Sequence, residues 1–404
     1  MALVTKNFSD IITFTRASTA TFFNSAGVLT SAATNAPRLD YNPSTLAAQG
    51  LLIEESRTNS IRNNTMVGAV AGTPGTLPTN WATASLGTLT QQVVGTGTSN
   101  GITYIDIRLS GTTSTTQFSL RLEPNGTAAI PAVNGQTWTG SAWLALVGGS
   151  TTNISQVGQS GLLWDAGGAF LGGGYAGPLS PSSITANLTR FTASGTNAIV
   201  GTAFIQPQIY FVFASGVAID ITLRIGLPQL ELGSFATSVI PTTTTALTRA
   251  ADVASVNTLS PWYNASAGSF YVEATVAPGL SAFPNTIAVN DGTVNNRIIS
   301  YLFTNGFYSS ITTGGASQGT GGLVTPPTVG AASKFAFAYA TNRLQGAANG
   351  AAGTEDTTVT LPSGLNIMRI GAVSATTNFY NSHIQRITYY PRSLSQAELI
   401  SITT

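Results

Sequence analysis

A period of two is what most restricts the folding of this chain. Tyr104–Leu109, Phe118–Leu122, Trp138–Leu146, Leu188–Thr192 and Ile219–Ile225 set apolar against polar residues in alternation, and Ile209–Phe213 is a short apolar run. Successive side chains on a strand point to opposite faces, so such runs read as half-buried antiparallel strands. Ser269–Val276, Arg297–Phe303 and Lys334–Tyr339 continue the pattern toward the C-terminus. Turns are supplied by 43 Gly and 18 Pro. One helix is expected at the end, where Ser395-Gln396-Ala397-Glu398 has the spacing of a capping box and about two turns follow. The fold class is therefore all-β: a small N-terminal β region, two antiparallel β-sandwich (jelly-roll) domains and one short C-terminal helix.

Charge is scarce. Only 8% of residues are Asp, Glu, Lys or Arg, against roughly 25% in an average soluble protein. Apolar residues make up 43% and the net charge is +1, so the chain has the material for a core. Weak repulsion between copies suits a protein held in an oligomer or on a particle. The sixteen basic residues, fourteen of them Arg, are scattered singly. Nucleic-acid binding is therefore not expected. Without cysteine there are no disulfides or thiolate metal sites, which fits assembly in a reducing cytoplasm. No signal peptide is expected at the N-terminus, and the longest apolar stretch, Ile209–Ile219, is too short for membrane insertion.

Three stretches carry a family resemblance. The first is Phe14-Thr15-Arg16, then Phe22-Phe23-Asn24-Ser25-Ala26-Gly27, Ala36-Pro37-Arg38-Leu39-Asp40-Tyr41 and Gly50-Leu51-Leu52-Ile53-Glu54-Glu55-Ser56-Arg57-Thr58-Asn59. It resembles the head-spike or fibre module near the start of tailed-bacteriophage virion proteins. The second, Gly226–Thr242, resembles the closing strand of carbohydrate-binding-module-like jelly rolls, and Thr248-Arg249-Ala250-Ala251-Asp252 the joint that follows. The third, Met368–Gly371 and Phe379–Leu399, resembles the last strands and closing helix of laminin-G/concanavalin-like sandwiches. These divide the chain into a virion-attachment region (1–60), a carbohydrate-binding-module-like sandwich (61–247) and a laminin-G-like sandwich (248–404). The resemblance implies a structural protein at the virion surface, assembled in the host cytoplasm, with capsid or tail proteins as partners and homotrimerisation expected. Phe14, Arg16, Phe22, Phe23, Arg38 and Tyr41 are the candidate anchoring contacts, because aromatics and Arg carry most interface energy.

Catalytic readings are weaker. Gly315-Ala316-Ser317-Gln318-Gly319 matches a nucleophile elbow, with Asp356 and the lone His383 following in hydrolase order. An elbow needs a strand entering a helix, and Ser317 reads as a Gly-rich loop. His383 reads as a turn residue hydrogen-bonded locally. Glycoside hydrolysis needs two facing carboxylates, whereas Glu54-Glu55 and Glu355-Asp356 are neighbours that point apart. A polysaccharide depolymerase is thus the third reading, behind a passive virion protein and a receptor-binding lectin for a host surface glycan. No enzyme activity, cofactor or metal is expected. Asn290-Asp291-Gly292 with Asn295 and Asn296 could offer oxygens to calcium but reads as a hairpin turn. Sugar-binding candidates are Trp164 with Asp165, expected to be exposed, and Trp262 with Tyr263. Trp138 and Trp143, five apart, face opposite ways unless the strand is bulged.

Overall fold

The computed structural model describes residues 8–276, 283–303, 305–323 and 328–404. Every strand pairing within them is antiparallel, and the chain divides into two units, 1–56 with 250–404 and 57–249. The N-terminal segment is therefore not a region of its own. Its strands Thr13–Thr15, Leu39–Tyr41 and Ala48–Ile53 complete sheets whose other members lie more than 200 residues later in the sequence, and local patterns carry no sign of such long-range pairing.

In the first unit one seven-stranded sheet runs Thr13–Thr15, Val253–Val256, Ile367–Ile370, Asn285–Asn290, Arg297–Phe303, Gly306–Thr313 and Ala316–Leu323. The facing seven-stranded sheet ends with Ser382–Tyr390, Ala48–Ile53 and Leu39–Tyr41. Phe14, Leu51 and Ile53 enter the same core as Phe270, Phe337 and Ile370. The expected hairpin forms from Ala20–Phe23 and Leu29–Ala32, with Gly27 at φ +71° in its loop. Gly50, at φ +98°, lies where a Cβ would come within 2.5 Å of the Ile384 carbonyl oxygen, so only glycine lets these two strands meet. Helix Gln396–Thr403 covers the outside of the second sheet through Leu399, and Ser395 and Glu398 form the capping box.

A buried ion network ties the N-terminal segment to this unit. Asp252 accepts from Arg16 Nη1 at 3.1 Å, from Arg38 Nη2 and from the Glu54 backbone N–H at 2.9 Å. Arg38 Nη1 reaches Glu54 Oε2 at 2.7 Å. Arg16 spends its remaining N–H groups on the carbonyls of Ser18, Ala32, Ala33 and Ala36. Two cations meet two anions, and the side chains of Arg16, Arg38 and Asp252 have no exposed surface. Burial alone would lower the Arg38 pKa, but the Glu54 and Asp252 carboxylates hold it above the usual value.

The unit 57–249 is a second sandwich. One sheet runs Phe170–Leu179, Ile154–Trp164, Phe204–Phe213, Gln117–Arg121 and Ala82–Ala84, with Ile130–Pro131 also on Phe204–Phe213. The other runs Thr189–Thr196, Thr137–Gly149, Ala218–Leu232, Ile102–Thr112 and Thr90–Ser99. Trp138 lies in the core between them, and a bulge between Ser141 and Trp143 accompanies the burial of both tryptophans. Arg57–Asn59 pairs with Leu247–Arg249, so the two ends of the unit are joined as a ladder. Beside it Glu231 accepts from the N–H and hydroxyl of Thr237, and Arg249 donates to Thr237 and Ser238.

Asp252→Asn leaves two buried guanidinium groups short of an anion. It is expected to cost about 3–5 kcal/mol, the range for breaking a buried pair, measured by urea unfolding. A loss under about 1 kcal/mol would mean that the network is not what holds the segment. At the other end of the unit, hydrogen bonds from Arg392 and from Ser395 pull the exposed Glu398 carboxyl from 4.5 to about 2. A depressed carboxylate contributes stability above its unfolded pKa and loses it as pH falls through the folded one. The helix is expected to hold at pH 4 and fray toward pH 2, read from the NMR titration of Glu398.

Candidate functional site

Alternation along two central strands of the 57–249 unit creates a polar face. Phe118, Leu120 and Leu122, and Ile205, Ile209, Phe211 and Phe213, enter the core. The intervening residues Ser119 and Arg121, and Gln206, Gln208 and Tyr210, therefore face away from it. The paired strand Ile154–Trp164 adds Gln156, Ser160 and Trp164 to the same face, since Ser160 is opposite Gln208 and Gly158 opposite Tyr210. Gln156 Nε2 donates to the Tyr210 hydroxyl at 2.7 Å, and Gln208 Nε2 to Ser160 Oγ at 2.9 Å.

At one edge of this face is a cleft of about 340 Å³, lined by Asn80, Trp81, Thr83, Arg121, Asn125 and Gln206, among others. Trp81 forms part of its wall while its indole N–H donates to the Asn63 carbonyl at 3.0 Å. Gln206 is 1% exposed; its Nε2 donates to the Glu123 carbonyl and its Oε1 has no partner. Gln208 Oε1 on the neighbouring row is buried and equally unpartnered.

Arg121 differs from every other arginine of the unit. Arg62 pairs with Glu123 at 2.5 Å, Arg108 with Asp220 at 2.8 Å and Arg224 with Asp106 at 2.8 Å. Arg57 donates to the Leu232 carbonyl, Arg190 to the Thr237 carbonyl and Ser141, and Arg249 to Thr237 and Ser238. Arg121 is half-buried, its Nε is fully enclosed without an acceptor, and its guanidinium has no ion-pair or hydrogen-bond partner among the described residues. It lies 6.0 Å from the centroid of the Trp164 ring. Burial pushes its pKa below the usual guanidinium value. Each acid of the unit already accepts hydrogen bonds from other residues. Glu231 is held by Thr237, and Asp165 accepts from the N–H groups of Gly167 and Ala169. Burial holds the Glu123 carboxyl above the usual range even with Arg62 beside it.

The residues singled out from sequence fall as follows. Trp164 is not exposed: it is 8% accessible and packed edge-on against Phe170, ring centroids 5.5 Å apart. Asp165 accepts from the N–H groups of the turn that follows, but Phe170 and Arg121 cover the ring. Trp262 and Tyr263 are half-buried in an aromatic cluster with Tyr389, so they serve packing in the first unit. Phe14, Arg16 and Arg38 are buried within that unit and present no surface to a partner. Phe22, Phe23 and Tyr41 remain half-buried.

Ser317 lies not in a loop but in strand Ala316–Leu323, entered by a hairpin rather than followed by a helix. Asp356 accepts from Thr358, and His383, in strand Ser382–Tyr390 rather than a turn, pairs through Nε2 with Asp40 Oδ2 at 2.8 Å. No hydrogen bond joins the three among the described residues. Asp291 turns its carboxylate to Thr293 and Asn296, as a hairpin residue does. Among the described residues no group of three or more His, Cys, Asp and Glu could hold a metal.

Comparison with known proteins adds fold-level likeness only. No family matches the sequence, and no curated protein is similar to it. Among solved structures, the CBM40 module of Ruminococcus gnavus IT-sialidase is 16% identical over 35% of this chain and 84% of its own, with a TM-score of 0.30. The tripod from the baseplate of bacteriophage Tuc2009 is 12% identical over 79% of this chain and 99% of its own, at 0.32. Domains LG4-5 of the mouse laminin alpha1 chain are 8% identical over 75% and 95%, at 0.24. Superpositions this loose carry no argument about what the chain does.

The polar face escaped the sequence reading, although a signal existed. Gln206, Gln208 and Tyr210 recur every second residue in an otherwise apolar strand, which marks a face turned away from the core. Arg121→Met is expected to leave the unit's stability unchanged or raise it by up to about 1 kcal/mol, because no hydrogen-bond partner is lost and an enclosed, unpaired N–H is removed. Arg62→Met strands Glu123 and is expected to cost about 3 kcal/mol. Equal losses in thermal or urea unfolding would show that Arg121 is structurally engaged.

Proposed function

We propose that this chain is a non-enzymatic structural protein of a bacteriophage virion, a head spike or fibre, a decoration protein or a tail fibre, that presents its β-sandwich units at the particle surface. What supports the reading is the identity of the residues that carry the family resemblance. Arg16, Arg38, Glu54 and Asp252 make the buried ion network, while Glu231, Thr237 and Arg249 make the cluster beside the paired ends of the other unit. The resembling stretches are thus those that build a two-sandwich scaffold. With Arg16 and Arg38 enclosed, attachment to capsid or tail proteins falls to Phe22, Phe23 and Tyr41. A homotrimer fits a charge-poor surface, and the protein is assembled in the host cytoplasm.

A second reading is favoured by the polar face of the 57–249 unit: the displayed protein is a lectin for a host surface glycan. Unpaired buried amide oxygens beside tryptophan and arginine suit a polyhydroxylated ligand better than a protein surface.

Cryo-electron microscopy of particles from wild type and a gene deletion tests the first reading, with loss of surface density on capsid or tail expected. Phe22→Ala with Phe23→Ala is expected to reduce incorporation while the purified protein stays folded. Unchanged particles in the deletion would overturn the virion assignment. Unchanged incorporation of the double variant would move the attachment elsewhere.

A further inference from the structure

We propose that the cleft at Arg121 binds a saccharide unit carrying an anionic group, carboxylate or phosphate. The inference rests on the glycan-binding reading and names the class of ligand. Two orphaned groups of opposite character define it. Gln206 Oε1, in a side chain 1% exposed, lacks a donor; Arg121 Nε, enclosed on a half-buried side chain, lacks an acceptor. Buried polar groups left unpaired are costly, and native folds leave few of them. Gln206 lines the cleft, and once its amide turns outward a sugar hydroxyl satisfies the oxygen. An anion satisfies the guanidinium, whose planar fork suits two oxygens of a carboxylate or phosphate. A neutral sugar supplies the first without the second.

Among the described residues no anion pairs with Arg121. Its nearest acid in sequence, Glu123, is held by three contacts with Arg62, at 2.5 to 2.8 Å. The unit carries seven Arg and no Lys against five acids, so its net charge also favours an anionic partner. Trp81 contributes apolar surface to the wall. Asn80 and Asn125 add amides at the rim.

The test uses the full chain and its Arg121→Gln and Arg121→Lys variants on immobilised glycans comprising neutral, uronate-bearing, sialylated and phosphorylated members. The expected result is binding confined to anionic members, weakened roughly tenfold or more by Arg121→Gln and by less in Arg121→Lys, which keeps the charge but not the fork. Retention of carboxylate or of phosphate glycans identifies the source of the anion. Neutral glycans bound equally by all three proteins would overturn this inference and leave the glycan reading standing. Binding of no glycan would remove both. Matching thermal unfolding curves for the three proteins exclude misfolding as the cause of a loss.

Discussion

The first unit depends on one carboxylate. Asp252 holds two guanidinium groups and a backbone N–H in a site without water access, and through Arg16 and Arg38 it fixes the carbonyls of residues 18, 21, 32, 33 and 36. Neither cation could be buried alone, because desolvation of an isolated ion costs several kcal/mol. The N-terminal segment and the strand after Asp252 are therefore mutually required. Arg16 and Asp252 are 236 residues apart in sequence, with the whole of the other unit between them. That separation makes the network a late-closing feature on loop-entropy grounds, while the Arg38–Glu54 pair spans a short loop.

In a chain with so little charge, each buried ion is informative. The network at Asp252 is neutral overall and nearly saturated with hydrogen bonds. Arg62–Glu123 and Arg224–Asp106 repeat the same economy on a smaller scale in the other unit. These pairs specify geometry more than they add stability, since apolar replacements of buried pairs are often neutral or better. Arg121 follows neither pattern.

Much of the architecture could be read from the chain. The all-β class, the capping box at Ser395 and Glu398 and most of the strongly alternating strands were legible, because each depends on neighbours in sequence. Phe170–Leu179 was not, since Leu171-Gly172-Gly173-Gly174-Tyr175-Ala176-Gly177 has too few side chains to show a period. Nor was the merger of residues 13–53 with the C-terminal sandwich, which rests on pairings such as Phe14 with Ala254 and Leu51 with Ile384. The candidate site was half legible. Phe118-Ser119-Leu120-Arg121-Leu122 tells which way Arg121 points, but not that its guanidinium has no ion-pair partner among the described residues. Arg224 finds Asp106 from 118 positions away, and such pairings are invisible to local patterns. Composition around Asp165 suggests exposure, but the Trp164 ring is covered by Phe170 and Arg121, contacts that no local pattern shows.

The contrast between Arg121 and its counterparts bears on function more than fold does. Both sandwich architectures serve scaffolding as readily as binding, so architecture alone is silent. Stability alone would favour a methionine or leucine at position 121, where the side chain lies near Trp164 and the enclosed Nε has no acceptor. A residue that is costly to the free fold is intelligible if something else completes its hydrogen bonds. The same holds for the Gln206 carbonyl, one strand away and on the same face. Two unrelated residues, left incomplete in complementary ways around one cleft, are more simply explained by a shared ligand than by two separate defects of packing.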